Sequence, residues 1–554
     1  MEYKWLKSYP RGVRSEISIP EEMTVHDLID GTCRRYARRK ALTCEGTDLT
    51  FRQLERRAGY LAAWLQVNAG IEKGDRVAIM LPNIIQFPIS LYGVLKAGGV
   101  CVNTNPAYTP REMHHQLKDS GAKAIVILDM FLPKLEEIIQ DTAIEHVLVT
   151  SMSDQMPVWK GPLVSLWLRL RRVLPGHNLE TTELVDALHQ GAGLEWDPPE
   201  VTPGDLALLQ YTGGTSGVFR GAMLSHRNLV ANILQNQAWS AVDGPGVGDI
   251  VLTALPLYHV FALTVNFLSF FTAGARMILV PQPMPVKNTV DIFYRYPVTV
   301  MTGVNPLYRS LNRNRRFRDL EGKCLRIALA GGMPLDPEVN DEFNRLTGVR
   351  IMEGFGLTEA SPVTHCNPLG GKIKNGSCGL PLPSTQAQIV DPKGQALPTG
   401  EEGELLVRGP QVMQGYWKNE AASKDSLQKG WLRTGDVARM DEDGYFYIVD
   451  RIKDMILVSG FNVYPREVEE VLQEHPGVRD VAVVGVRDAT GAEAVKAYIV
   501  PENDTLNEGD LRRYCKAFLT GYKKPRYYEF RKELPRSDVG KLLRTELFDK
   551  STAQ

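Results

Sequence analysis

One pattern unit, repeated, constrains this chain more than any other feature: a short apolar run, a few small or polar residues, then a helical segment. Residues 76–81 (RVAIML) read as a strand, 87–97 as a helix and 123–128 (KAIVIL) as a second strand. Three later runs, 298–304 (VTVMTGV), 325–332 (LRIALAGG) and 349–356 (VRIMEGFG), each end in small or polar residues. After the second, Asp336 takes an N-cap position with Pro337 in the first helical place, a good helix start. Strands that alternate with helices predict parallel, doubly wound sheets, whose ligands bind beyond the carboxyl ends of the strands. The loops at Thr212, Gly331 and Gly354 are therefore expected to meet at one ligand.

The texture changes after about residue 408. Residues 441–444 (DEDG) form a turn before the strand 445–449, and the charged 450–454 (DRIKD) precedes another strand, 455–458. A helix from Pro465 stops at His475-Pro476-Gly477, a double breaker. Strands 481–486 and 495–500 and a helix 506–519 complete a small α+β unit. The expected class is α/β: a large domain, 1–449, with doubly wound, mostly parallel sheets, a linker at 450–453, and a small domain, 454–554.

With 554 residues the chain exceeds one ordinary core. Its 64 basic and 65 acidic residues leave a net charge of −1, so no general attraction to nucleic acid or anionic lipid is built in. The basic, Tyr-rich stretch 512–536 reads as a solvated face or as a contact for the phosphates of coenzyme A, not as a nucleic-acid site. Seven dispersed cysteines without a Cys-x-x-Cys pair fit the reduced thiols of a cytoplasmic protein. His114 and His115 are adjacent, cannot share a helix face, and are assigned no metal. Nothing in residues 1–17 resembles a signal peptide. The apolar run 260–275, interrupted by Asn266 and Ser269, is short of the roughly 20 residues a spanning helix needs and reads as a buried helix. Residues 163–174 (LVSLWLRLRRVL) read as an amphipathic helix, packed on the large domain or resting on a membrane.

Residues 211–228 (YTGGTSGVFRGAMLSHRN) read as a loop after the apolar run 206–210. Thr212, Gly213, Gly214, Thr215, Ser216 and Gly217 offer amides and hydroxyls with little Cβ obstruction, suited to a polyphosphate. The loop is not Gly-x-x-x-x-Gly-Lys-Ser/Thr, because Val218, Phe219 and Arg220 follow Gly217.

This loop, with 353–362 (EGFGLTEASP), 430–436 (GWLRTGD), 450–470 (DRIKDMILVSGFNVYPREVEE) and 535–547 (PRSDVGKLLRTEL), resembles the ordered motifs of the adenylate-forming enzymes. Within that superfamily the chain is most similar to the bacterial long-chain fatty acyl-CoA synthetases, nearly end to end. The resemblance implies a two-step reaction. A fatty acid carboxylate attacks the α-phosphate of ATP to give acyl-adenylate and pyrophosphate; the thiol of coenzyme A then displaces AMP.

It also implies roles. Thr212 to Gly217 with Arg220 hold the β- and γ-phosphates; Gly331, Gly332, Gly354, Phe355 and Gly356 form the adenine slot; Thr358 meets the α-phosphate and Glu359 holds Mg²⁺. Asp436 and Arg451 hold the ribose, and Lys541 bridges carboxylate and α-phosphate. Lys453 is the hinge on which the small domain turns, bringing Ser459, Gly460 and Phe461 inward as the coenzyme A face. His259 lies near the thioester-forming centre. Each residue also has a plain structural reading, as a cap, a turn or a surface charge. Ser216 and Arg220 stand where relatives often carry threonine and lysine; both keep the chemistry, although a planar fork replaces a compact ammonium.

Open alternatives are another acid as substrate, transfer to an acyl-carrier protein, and a non-catalytic fatty-acid-binding protein. A homodimer and peripheral contact with the inner face of the membrane stay open too. So does the use of 260–271, as acyl tunnel or as core.

Overall fold

A computed structural model describes residues 3–154, 178–213, 219–458, 461–487, 493–503, 505–537 and 540–547. Packing groups the chain into two compact units, one of Ser8–Gln386 with Arg408–Leu432, the other of Met1–Lys7, Ala387–Val407 and Arg433–Gln554.

The larger unit holds two sheets. The seven-stranded one runs in the order Thr182–Glu183, His146–Thr150, Ala124–Leu128, Arg76–Met80, Val100–Asn103, Leu206–Gly213, Phe219–Ser225. Its neighbours are parallel except for the last pair. The nine-stranded one follows the order Leu380–Pro381, Val363–Cys366, Ile351–Gly356, Ile327–Ala330, Val300–Gly303, Ile250–Thr253, Arg276–Leu279, Lys40–Cys44, Thr47–Thr50. It too is parallel through its middle, with antiparallel strands at both edges. Helices cover the sheets, so inner strands such as Ala124–Leu128 are buried at every position, as parallel sheets require. This is the expected α/β architecture.

The run 260–275 is a buried helix, with wide π-helical turns over Ala262–Phe270. Among the described residues no helix is long and apolar enough to cross a membrane; the stretch 163–174 lies outside them. Helix Pro337–Thr347 begins where the sequence places it, yet the Asp336 side chain does not cap it. That carboxylate instead accepts from Asn305 at 2.8 Å and pairs with Arg309; a cation outcompetes a backbone amide. Cys324 is exposed, Cys366 half-buried and the other five cysteines buried, all as free thiols.

In the smaller unit, Trp431–Met440 and Phe446–Arg451 form an antiparallel hairpin beside Gly403–Arg408 and Gln386–Val390. Trp5 packs against Phe446, ring centroids 5.9 Å apart. Further along, Val478–Arg487, Glu493–Pro501 and Tyr527–Phe530 form a sheet whose core is closed by helices Pro465–Gln473 and Glu508–Phe518. Asp450 is buried, its carboxylate accepting from the Arg466 amide at 2.8 Å, so it caps the first of these helices. Arg544 makes two 2.7 Å bonds to the half-buried Glu469 carboxylate and a 3.5 Å pair with Asp454.

Candidate active site

Residues 211–228 are not one loop. Thr212 and Gly213 end the strand Leu206–Gly213, and Phe219–Ser225 returns antiparallel with Thr212 opposite Arg220. A hairpin therefore carries the small-residue tip, whose residues 214–218 lie outside the described ones. Gly221 faces Tyr211 in the register, and a Cβ there would lie 3.0 Å from the Tyr211 ring, so glycine lets the ring cross. The Tyr211 hydroxyl donates to Asp119 at 2.5 Å, which fixes the strand to the helix Pro110–Ser120.

Thr358 and Glu359 lie in the short helix Thr358–Ala360, which packs against the returning strand. Glu359 accepts a 2.7 Å hydrogen bond from the Tyr416 hydroxyl on Oε1, and its own carbonyl accepts from the Met413 amide at 2.8 Å. The Arg220 guanidinium stands over the Tyr416 ring, 5.6 Å from its centroid. Burial first and Glu359 second push the Tyr416 phenol above its ordinary range. Among the described residues no three His, Cys, Asp or Glu side chains gather to hold a metal. A lone carboxylate with one oxygen engaged suits an ion that keeps water and phosphate oxygens in its shell, as Mg²⁺ does.

Gly331 and Gly354 come together at the carboxyl ends of adjacent strands. A Cβ on Gly331 would lie 3.2 Å from the Phe261 ring and 3.5 Å from the Gly354 carbonyl. On Gly356 it would lie 2.2 Å from the Pro362 carbonyl, so no side chain fits. Gly332 turns the chain at φ +80°, which favours glycine. Phe355 is half-buried, its ring 6.0 Å from that of His365. Gly331, Gly354 and Gly356 thus allow neighbouring protein atoms to pack against the backbone, whereas nothing lies within 4 Å of a Cβ placed on Gly332.

His259 is half-buried at the end of a loop fixed by buried amides. Asn83 donates to the Thr253 and Leu255 carbonyls at 3.0 and 2.8 Å and accepts from the Leu257 amide at 2.8 Å. Gln210, in the strand that leads into the hairpin, donates to the Tyr258 carbonyl at 3.0 Å.

In the smaller unit Asp436 and Arg451 face each other across the hairpin, Nε to Oδ1 at 3.1 Å, with Asp436 buried. Lys541 follows a tight turn at Gly540, φ +79°, closed by the Ser537 amide on the Lys541 carbonyl at 2.8 Å. Its ammonium is pushed down to about 8, above all by the Arg451 guanidinium, then by burial and by Lys453. Lys541 is exposed on this unit, so neighbouring charge outweighs desolvation. Asp436, Arg451, Lys453 and Lys541 are thus one electrostatic cluster. Phe461 begins the strand Phe461–Val463; Ser459 and Gly460 lie outside the described residues.

Tyr416, Gln210 and Asn83 are the side chains that sequence reading passes over. The one signal available for the two amides is a polar residue closing an apolar run, as in LALLQ and IMLPN.

Comparison with known proteins supplies the family. The AMP-binding enzyme family model matches residues 29–417, and that of the AMP-binding enzyme C-terminal domain matches 467–541. A long-chain-fatty-acid–CoA ligase of Escherichia coli O6:H1 is 46% identical over 554 residues, covering 100% of this chain and 99% of its own. One of Bacillus subtilis is 38% identical, covering 99% and 98%. Among solved structures, the anthranilate CoA ligase AuaEII in complex with anthranoyl-AMP superposes with a TM-score of 0.84 at 26% identity, over 96% of this chain and 97% of that one. With the family model spanning most of the larger unit and its C-terminal companion reaching Lys541, the chain belongs to the AMP-binding enzyme family.

Proposed function

We propose that this enzyme joins long-chain fatty acids to coenzyme A at the expense of ATP, through an acyl-adenylate. The observation that carries this reading is the full-length likeness to long-chain-fatty-acid–CoA ligases, at 46% identity. The physical problem of the first step is that an anion must approach an anion. At 4 Å and an effective dielectric near 20 the repulsion is about 4 kcal/mol, roughly a thousandfold in rate if left uncompensated.

The cationic and polar groups of these motifs suit that problem. Thr212 to Gly217 with Arg220 hold the β- and γ-phosphates; Thr358 donates to the α-phosphate; Lys541 bridges it to the carboxylate. Asp436, buried and held by Arg451 at 3.1 Å, accepts from the ribose hydroxyls. Gly331, Gly332 and the strand through Gly354, Phe355 and Gly356 flank the adenine. Glu359 holds Mg²⁺, which supplies charge neutralisation at the phosphates when bound. In the second step the sulfur of coenzyme A attacks the acyl carbonyl and AMP leaves. His259 stands beside that path, Lys453 is the hinge, and 459–461 is the face that turns in. The dispersed reduced thiols support a cytoplasmic location.

Long-chain selectivity follows from burial, at about 0.8 kcal/mol per methylene. The test is pyrophosphate release from ATP with acids of graded length, each with and without coenzyme A. Release that needs a long acid, with coenzyme A turning a burst into turnover and acyl-CoA appearing, is the expected result. Release with short or aromatic acids alone would refute the substrate class. Turnover that ignores coenzyme A would refute the acceptor.

A further inference from the structure

We propose that Tyr416 is the positioning residue that joins the metal carboxylate to the phosphate hairpin, its hydroxyl holding Glu359 and its ring carrying Arg220. The inference rests on the reading of Glu359 as the Mg²⁺ ligand. Tyr416 is 8% exposed, and its position is over-determined by the backbone. Residues 413–417 form a strap along the returning strand of the hairpin. The Met223 amide donates to the Gly415 carbonyl at 2.9 Å, and the Trp417 amide to the Gly221 carbonyl at 2.8 Å. The strap is also tied to Glu359, through the Met413 amide on its carbonyl at 2.8 Å. Asn228 in turn donates to the Pro410 and Val412 carbonyls at 2.9 and 2.8 Å. A side chain on this strap has one place to be.

From that place it does two jobs with different atoms. The hydroxyl engages Oε1 of Glu359 at 2.7 Å, which fixes the plane of the carboxylate and leaves the other oxygen to face a cation. Outer-shell partners of this kind orient metal ligands and tune affinity. The ring face carries the Arg220 guanidinium at 5.6 Å. Arg220 Nε is buried and makes no hydrogen bond among the described residues, which leaves that donor uncommitted. A planar guanidinium can lie along a ring face, which an ammonium meets only as a compact point charge, and this gives a physical reason for arginine at 220.

The experiment is Mn²⁺ binding followed by electron paramagnetic resonance at saturating ATP, with Tyr416→Phe, Tyr416→Leu and Glu359→Gln in the full-length chain. Far-ultraviolet circular dichroism serves as a fold check. Phe keeps the ring and loses the hydroxyl. It is expected to weaken Mn²⁺ by roughly tenfold or more while the Michaelis constant for ATP moves less than in the Leu variant, which loses the stack as well. Wild-type Mn²⁺ affinity in Tyr416→Phe, with Glu359→Gln losing the metal, would overturn the role of Tyr416 alone. Wild-type affinity in Glu359→Gln would overturn the assignment of Glu359 itself. Equal effects of Phe and Leu on ATP would overturn the stacking half.

Discussion

The Lys541 ammonium is pushed down to about 8, above all by the Arg451 guanidinium, and the consequence has a definite sign. The ammonium is charged below about 8 and neutral above it. If it bridges two anions, pyrophosphate release in the free enzyme falls as pH rises through that value. Arg451→Gln is expected to move the fall upward, toward the ordinary lysine value of about 10.4, whatever it does to ribose binding. A midpoint that stays near 8 in the variant would show that Arg451 is not the cause. Arg220→Lys tests the other cation. It keeps the charge and loses the stack on Tyr416, so the Michaelis constant for ATP is expected to rise several-fold; unchanged ATP kinetics would leave the arginine without a special role.

Among elements, the hairpin of Leu206–Gly213 and Phe219–Ser225, proposed to hold the phosphates, is the most exacting. Gly221→Ala puts a methyl 3.0 Å from the Tyr211 ring. The crossing must shift, at a cost of about 1–3 kcal/mol. A lower melting temperature together with weaker ATP binding is expected, and a neutral effect on both would mean the ring simply moves aside. This hairpin also shows where sequence reading stops. Strands such as Arg76–Met80 and Ala124–Leu128 are legible because their apolar runs are long enough to be buried on both faces. Phe219–Ser225 is not, because it is an edge strand with mixed burial and follows small residues that look like a loop. Asp436 and Arg451 are named by motif alone, yet their opposition across one register position appears only when the strands pair. Tyr416 has no local signal, since its meaning depends on a contact 57 residues away in sequence.

At the scale of the whole molecule, stability in acid is set partly by two histidines buried in the neutral form. Desolvation holds His226 and His365 down at about 3. The unfolded chain binds protons on them below about 6.5 while the folded chain does not, so stability is lost as pH falls from there toward 3. At pH 5 the loss is about 2 kcal/mol for each. His226→Asn, which keeps an acceptor for the 3.2 Å bond from the Val25 amide, is expected to flatten the acid slope of urea melts. An unchanged slope would place the acid sensitivity elsewhere. Lys453→Pro, which restricts φ at the proposed hinge, is expected to slow thioester formation more than acyl-adenylate formation; equal loss of both would count against a rotation there. Labelling needs an accessible thiol, and the uneven burial of the thiols supplies one. Cys324 alone is fully open, while burial pushes the half-covered Cys366 up to about 12. A maleimide fluorophore added to the untouched wild-type chain should therefore attach once, at residue 324, and turn the protein into its own optical probe without any engineered cysteine.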